Sequence, residues 1–198
     1  ALLRSHIQRL TNVNFIFSGS QRHVLENMFL SASRPFYQST QMMPLGTIDK
    51  SAYYAFSSDK MRHNRQSIDE ETFDYLYTKL SSHTWYVHTL LNRLYESGYE
   101  TIDKTTVDHI IADILLENEG TFQTFLRLVT PIQAKVLNAI ASEGTIKEIQ
   151  GKTFLTKYRL GAASTVKTAV KSLVEKELLL DNNGEYQIYD RFFGIWLV

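Results

Sequence analysis

The order of structural signals in the last seventy residues constrains this chain more than any other feature. Residues 130–133, Thr-Pro-Ile-Gln, combine an N-cap threonine, a proline at the first helical position and a glutamine at N3, so they predict a helix start. Helical patterns follow at 151–158 and from Ser164, and Asn183-Gly184 then separates two short apolar runs. Asn-Gly favours the positive-φ turn that links twisted antiparallel strands. Three helices followed by a two-stranded hairpin predict a winged helix-turn-helix domain over residues 129–198.

Residues 47–128 have helical spacing almost throughout. Apolar side chains recur every three or four residues, which is typical of helices that bury one face. Ser67 and Glu70 have the spacing of a capping box, and Gly120 predicts the end of one helix before a short helix through Phe122. The segment therefore predicts a helical bundle. Its expected inward side chains include Tyr53, Phe56, Met61, Phe73, Leu76, Trp85, Leu90, Val107 and Ile111.

The first 46 residues predict half of a β–α unit. Residues 13–17, Val-Asn-Phe-Ile-Phe, are a β-branched and aromatic run of the kind found in buried strands. A helix is expected to start near Ser20 with Val24 on its inward face, and residues 36–43 look extended. The chain opens on a further helical pattern, formed by Leu3, Ile7 and Leu10.

Charge and composition exclude several classes of protein. Lysine plus arginine and aspartate plus glutamate both number 21, so the formal net charge is zero and a nucleic-acid site has to be a local patch. There is no cysteine, which excludes disulfides and thiolate metal sites. No apolar run approaches the roughly 18 residues of a membrane-spanning helix, and the opening residues do not resemble a signal peptide. We expect a cytoplasmic protein and, because Ala1 lies inside a helical pattern, a fragment of a longer one.

Three segments resemble those of one ATPase family. Residues 15–20, Phe-Ile-Phe-Ser-Gly-Ser, resemble the sensor-1 strand of the archaeal-type AAA+ ATPases, a P-loop family related to the STAND group. Residues 44–46, Pro-Leu-Gly, are similar to the segment before the family's helical lid, and residues 185–197 to its final wing and tail. The resemblance implies a mainly α fold. In that fold a residual βα piece of the ATPase core, residues 1–46, and a helical lid bundle, residues 47–128, precede the winged helix.

The same resemblance implies ATP and Mg²⁺ in the parent protein, bound by Walker A and Walker B segments upstream of sensor 1. This sequence contains neither segment, so we expect the chain itself to hold no cofactor and to hydrolyse no ATP. In the family, Ser18 would face the γ-phosphate or the attacking water, and Arg34 would supply positive charge to the nucleotide. The alternatives are that Ser18 or Ser20 caps the following helix and that Arg34 is a solvated loop residue.

No residue pattern supports catalysis by the chain itself. Residues 151–153, Gly-Lys-Thr, end like a phosphate-binding loop, but residue 146 is isoleucine where that loop requires glycine. The acidic residues of 69–74 lie at a helix start, where they complement the helix dipole. His83 and His88 are five residues apart and point to different sides of a helix, so we expect no metal site.

The helix from Ser164 carries the candidate DNA-binding residues. Its face opposite the apolar stripe combines hydroxyl and ammonium groups, which contact phosphates and base edges in the major groove. Lys152, Lys157 and Arg159 lie just before it, whereas Glu175 and Glu177 follow it. Two interpretations stay open: a nucleotide-switched module that binds double-stranded DNA, or a regulatory module that binds a protein and no nucleic acid. A third is a complete small protein that uses an ATPase-derived scaffold only structurally, and the oligomeric state is undetermined. The candidate residues are Ser164, Thr165, Lys167, Thr168 and Lys171.

Overall fold

The computed structural model describes residues 2–7, 9–10, 12–19, 22–43 and 45–198. The chain divides into two compact units, residues 1–46 and 47–198. No helix in the described part of the chain is long and apolar enough to cross a bilayer.

The first unit contains two short helices, α1 (Leu2–Ile7) and α2 (Arg22–Leu30), among its described residues. Phe17, Phe29 and Phe36 form an aromatic cluster with ring centroids 5.2–6.1 Å apart. Phe29 and Phe36 are buried, and this cluster is the core that the unit shows. The side chain of Leu3, and Ser20 and Pro44 as a whole, lie outside the described residues, so the predictions made for them stay untested.

The structure contradicts several predictions for this unit. Residues 13–17 form no strand, and Ile16 is 92% exposed, because a buried strand needs hydrogen-bonded neighbours and no described residue provides one beside it. Residues 36–40 form turns rather than extended chain, with the Ser39 N–H donating to the Phe36 carbonyl. Val24 is exposed, because it does not belong to the aromatic cluster that forms the core of this unit.

The second unit begins with a bundle of amphipathic helices. A two-residue parallel pairing, β1 (Ser67–Ile68) with β2 (Thr101–Ile102), ties two of the loops together. Asp49, Asp69 and Asp103 each accept a hydrogen bond from the backbone N–H three residues later and so cap the helix that follows. The helices are α3 (Lys50–His63), α4 (Glu70–Lys79), α5 (Thr84–Glu96) and α6 (Lys104–Arg127).

Three details of the predicted bundle are wrong. Ser67 is not an N-cap, because its N–H donates to the Glu100 carbonyl in the strand pairing and Asp69 caps α4 instead. Gly120 does not end α6, which continues to Arg127 because the burial of Phe122 offsets the cost of a glycine in a helix. Phe56 and Trp85 are 58% and 61% exposed. Each occupies the outer face of its helix.

The winged helix has the predicted three helices followed by a hairpin, and the structure adds a third strand and a final helix. The elements are α7 (Pro131–Glu143), β3 (Thr145–Ile146), α8 (Lys152–Lys157), α9 (Ala163–Glu175), β4 (Leu179–Asn182), β5 (Glu185–Ile188) and α10 (Arg191–Trp196). The Thr130 hydroxyl and the Gln133 side chain complete the capping box at the start of α7. Asn183 and Gly184 both have positive φ, 56° and 87°, and form the two-residue turn of the wing. The sheet has the order β3-β5-β4, all antiparallel.

The bundle and the winged helix share one hydrophobic core. Phe193 of α10 contacts Phe122 and Phe125 of α6, with ring centroids 5.5 and 5.4 Å apart. Phe192 contacts Tyr86 of α5 edge-on at 5.4 Å. The fold is therefore mainly α, with the last helix of the chain packed back onto the bundle. The proposed boundary at residue 129 stays a prediction about domain organisation.

Candidate nucleic-acid interface

The exposed face of α9 is built by an amphipathic helix with a clear division of residues. Val166, Ala169, Val170 and Leu173 are buried and attach the helix to the core. On the other side the structure brings together all five predicted residues, each of them exposed. We call this surface the α9 face; it consists of Ser164, Thr165, Lys167, Thr168 and Lys171.

The start of α9 leaves backbone donors open. Its N-cap is Ala162, whose side chain accepts no hydrogen bond, so the first N–H groups have no side-chain cap. Such N–H groups bind phosphate oxygens well, and the helix dipole strengthens that interaction. Thr168 is less available than the sequence indicates, because its hydroxyl donates to the Ser164 carbonyl at 3.1 Å.

The cations around the α9 face differ in availability. Lys157 forms an ion pair with Glu143 at 2.7 Å, and the Tyr158 hydroxyl donates to the same carboxylate. The hydrogen bond to Glu143 raises the pKa of Lys157, and the bonds from Lys157 and Tyr158 lower the pKa of Glu143. Lys171 lies 4.0 Å from Glu175. No acidic partner lies within 4.0 Å of three other cations of this described region, Lys152, Arg159 and Lys167.

Charge is strongly segregated within the winged helix. Residues 147–171 contain six basic side chains and one acidic one, Glu148, whereas residues 172–190 contain one basic and five acidic. A count over the whole chain, or over the whole winged helix, averages this difference away. The sequence already places Lys152, Lys157 and Arg159 just before α9, and a segment-by-segment count shows that they belong to one basic stretch. The basic segment also includes Lys147, which directly follows β3 (Thr145–Ile146).

Two further residues are predicted to approach a nucleotide. Ser18 and Arg34 belong to the first unit and are exposed, and Arg34 donates to the Asn27 side chain at 3.1 Å. Since residues 13–17 form no strand, the described geometry does not place Ser18 at a strand end. A nucleotide role for either residue stays a prediction. Among the described residues, no three His, Asp or Glu side chains form a group that could hold a metal ion.

A concave surface lies between the bundle and the winged helix. This cleft of ≈ 560 Å³ has mostly apolar walls, including Phe125, Leu128 and Phe193. Burial raises the pKa of Tyr86, in the cleft wall, to about 12, so its phenol stays neutral. The Lys176 ammonium at the rim donates to the Leu128 carbonyl at 2.7 Å. Together these features make an apolar recess with a polar edge.

Comparisons with known proteins agree with this architecture. A family model whose description reads "Probable winged helix domain" matches residues 120–198. A search of solved structures finds a Walker-type ATPase of Pyrococcus abyssi with a TM-score of 0.57 and 15% sequence identity, covering 90% of this chain and 51% of that chain. No curated protein matches. The chain ends in a winged helix.

The structural likeness extends beyond the winged helix. It covers 90% of this chain, so the bundle shares in it. The chain spans about half the length of that ATPase. At 15% identity the likeness concerns the fold alone: this chain shares the fold of about half of that protein.

Proposed function

We propose that this chain is the C-terminal part of an archaeal-type AAA+ ATPase and that its winged helix binds double-stranded DNA. The likeness to about half of a Walker-type ATPase, together with the helical bundle and terminal winged helix, supports the first part. In the parent protein, upstream Walker segments would bind ATP and Mg²⁺, with Ser18 and Arg34 toward the nucleotide. The bundle would act as the lid that closes over the nucleotide. Because the bundle and the winged helix share one core, the winged helix would move with the lid and engage DNA.

One observation carries the DNA-binding proposal: the α9 face is exposed in a segment with six basic side chains and one acidic one. Phosphate contacts from lysine and arginine supply most of the affinity of a protein for DNA. Hydroxyl groups and helix N-termini add contacts that fix orientation, and base edges are read from the same helix. The α9 face offers all of these groups on one side of one helix.

The experiment is fluorescence anisotropy of a labelled generic duplex across a salt series, with the chain and its Lys167→Glu/Lys171→Glu variant. We expect binding to weaken with salt and the variant to bind at least about tenfold more weakly. Two lost phosphate contacts would also reduce the slope of log K against log salt by about 2. Both side chains are exposed, so the variant should fold normally.

A matched variant controls for net charge. Lys60→Glu/Lys135→Glu makes the same charge change on α3 and α7, at exposed positions outside both α9 and the basic segment 147–171. We expect it to retain most of the wild-type affinity. An equal loss of affinity in both variants would show that the duplex does not bind through the α9 face. If the wild type bound no duplex at low salt, the DNA-binding proposal would be wrong.

The alternative function is binding of a protein partner. The cleft beside Leu128 favours it, because Leu128 is 64% exposed next to buried aromatic rings. Leu128→Asp would abolish such binding and leave DNA affinity unchanged. Two results together would favour this function. The wild type would fail to bind duplex, and a protein partner would change its stability or mobility only when Leu128 is present.

A further inference from the structure

The wing differs in charge from the helices that it adjoins. Residues 177–190, which include both strands of the hairpin, contain four acidic residues and no lysine, arginine or histidine. A wing that contacts DNA does so through groups that bind phosphates, chiefly cations. The wing of this chain has none, whereas the adjoining segment 147–171 has six.

Two of the acidic side chains lie at the wing turn in defined positions. The Asp181 carboxylate accepts a hydrogen bond from the Gly184 N–H at 2.7 Å, which fixes it beside the turn. Tyr186 lies in β5, and burial and the neighbouring Asp181 carboxylate raise its pKa. Glu185 lies 4.0 Å from Lys147 across the strand pairing, and both side chains are solvated. An exposed pair at this distance neutralises little of the local charge.

We propose that the wing is held away from the DNA phosphates by Asp181 and Glu185, so that the duplex is contacted from the α9 side alone. This inference rests on the proposed DNA binding and concerns how the same site engages its partner. The contacts come from α9, Lys152 and Arg159, and they cover one major groove and its bordering phosphates. The flanking minor groove, where a basic wing would lie, stays uncovered. A second basic surface or a second copy would be needed for a longer footprint.

The first test neutralises the wing. In Asp181→Asn/Glu185→Gln, the asparagine oxygen can still accept from the Gly184 N–H, so the turn should be retained. Removing two negative charges within about one Debye length of the phosphates should tighten duplex binding roughly threefold at about 50 mM salt. The gain should shrink as salt rises. Glu100→Gln/Glu119→Gln changes the net charge equally on exposed bundle positions and should leave the affinity unchanged.

The second test removes the polar side chains of the wing turn. In Asn182→Ala/Asn183→Gly, glycine is compatible with the positive φ of residue 183. We expect unchanged affinity, and hydroxyl-radical footprinting should show protection confined to one groove. Weaker binding by this variant, protection of the flanking minor groove, or no effect of the Asp181/Glu185 variant would overturn the inference.

The two proposals fail in different ways. If the wild type binds duplex and Lys167→Glu/Lys171→Glu abolishes binding, DNA binding through α9 stands whatever the wing variants do. Wing variants that then behave contrary to expectation overturn only the wing inference. If the wild type binds no duplex at low salt, both proposals are wrong.

Discussion

Single glycines have opposite roles in two elements of this chain. Gly184 has φ +87° in the wing turn, where an L side chain is strained. Gly120 lies inside α6, where glycine only adds flexibility to the unfolded chain. A Cβ added at either position would meet no atom within 4 Å, so backbone conformation alone decides the effect.

We expect Gly184→Ala to lower the free energy of unfolding by about 1 kcal/mol and Gly120→Ala to raise it by a similar amount. The first value reflects the positive φ, and the second reflects the lower entropy of alanine in the unfolded state. Urea unfolding followed by circular dichroism measures both. Equal signs for the two variants would show that the turn geometry is not the cause.

Helices of the bundle are capped by aspartates whose ionisation affects stability. Hydrogen bonds from the Thr72 and Thr106 N–H groups hold the pKa of Asp69 and Asp103 below the usual range. A carboxyl whose pKa is lowered by folding stabilises the native state above its unfolded pKa, about 4. That contribution is lost as the pH falls through the lower, folded pKa. Both caps therefore make the bundle sensitive to acid.

In Asp69→Asn/Asp103→Asn the caps keep an oxygen acceptor but no longer titrate. We expect the free energy of unfolding to fall less steeply below about pH 4 in this variant than in the wild type. Unfolding in urea at a series of pH values measures the difference. Glu119→Gln, at an exposed position in the middle of α6, caps no helix and should leave the steepness unchanged. An unaltered pH profile in the double variant would contradict the role of the caps.

The bundle and winged helix of the whole chain are expected to unfold together. Helix α10 follows the wing in sequence but buries Phe193 against α6, so the core of residues 47–198 is continuous. A continuous core couples the stability of the elements that line it. The same continuity would let a movement of the bundle carry the winged helix with it in the parent protein.

Phe193→Ala removes a side chain that is 1% exposed, and we expect a loss of about 3–5 kcal/mol. Amide hydrogen exchange, read separately for peptides of α5 and α9, should show protection falling by a similar factor in both. Phe56→Ala, at a 58% exposed position of α3, controls for the loss of a phenyl ring and should leave α5 and α9 unchanged. Loss of protection confined to α9 would show that the two parts are stabilised independently.

The sequence by itself determined the winged helix. Its signals are local: the capping box at 130–133, the helical spacing of α9 and the Asn-Gly turn. Each depends on residues close together in the sequence and not on distant partners. The sequence also determined which α9 side chains are exposed, because amphipathic spacing fixes the buried face. Most helices of the bundle followed for the same reason.

Only the tertiary structure decided features that depend on distant residues. The strand predicted at 13–17 is absent because strand pairing is non-local and no described neighbour exists. Ser67 pairs with a loop 33 residues away rather than capping a helix. Lys157 is neutralised by Glu143 on another helix, whereas Lys152, Arg159 and Lys167 are not. The spacing of apolar residues shows which face of a helix is buried. Which other element packs against that face depends on the tertiary structure.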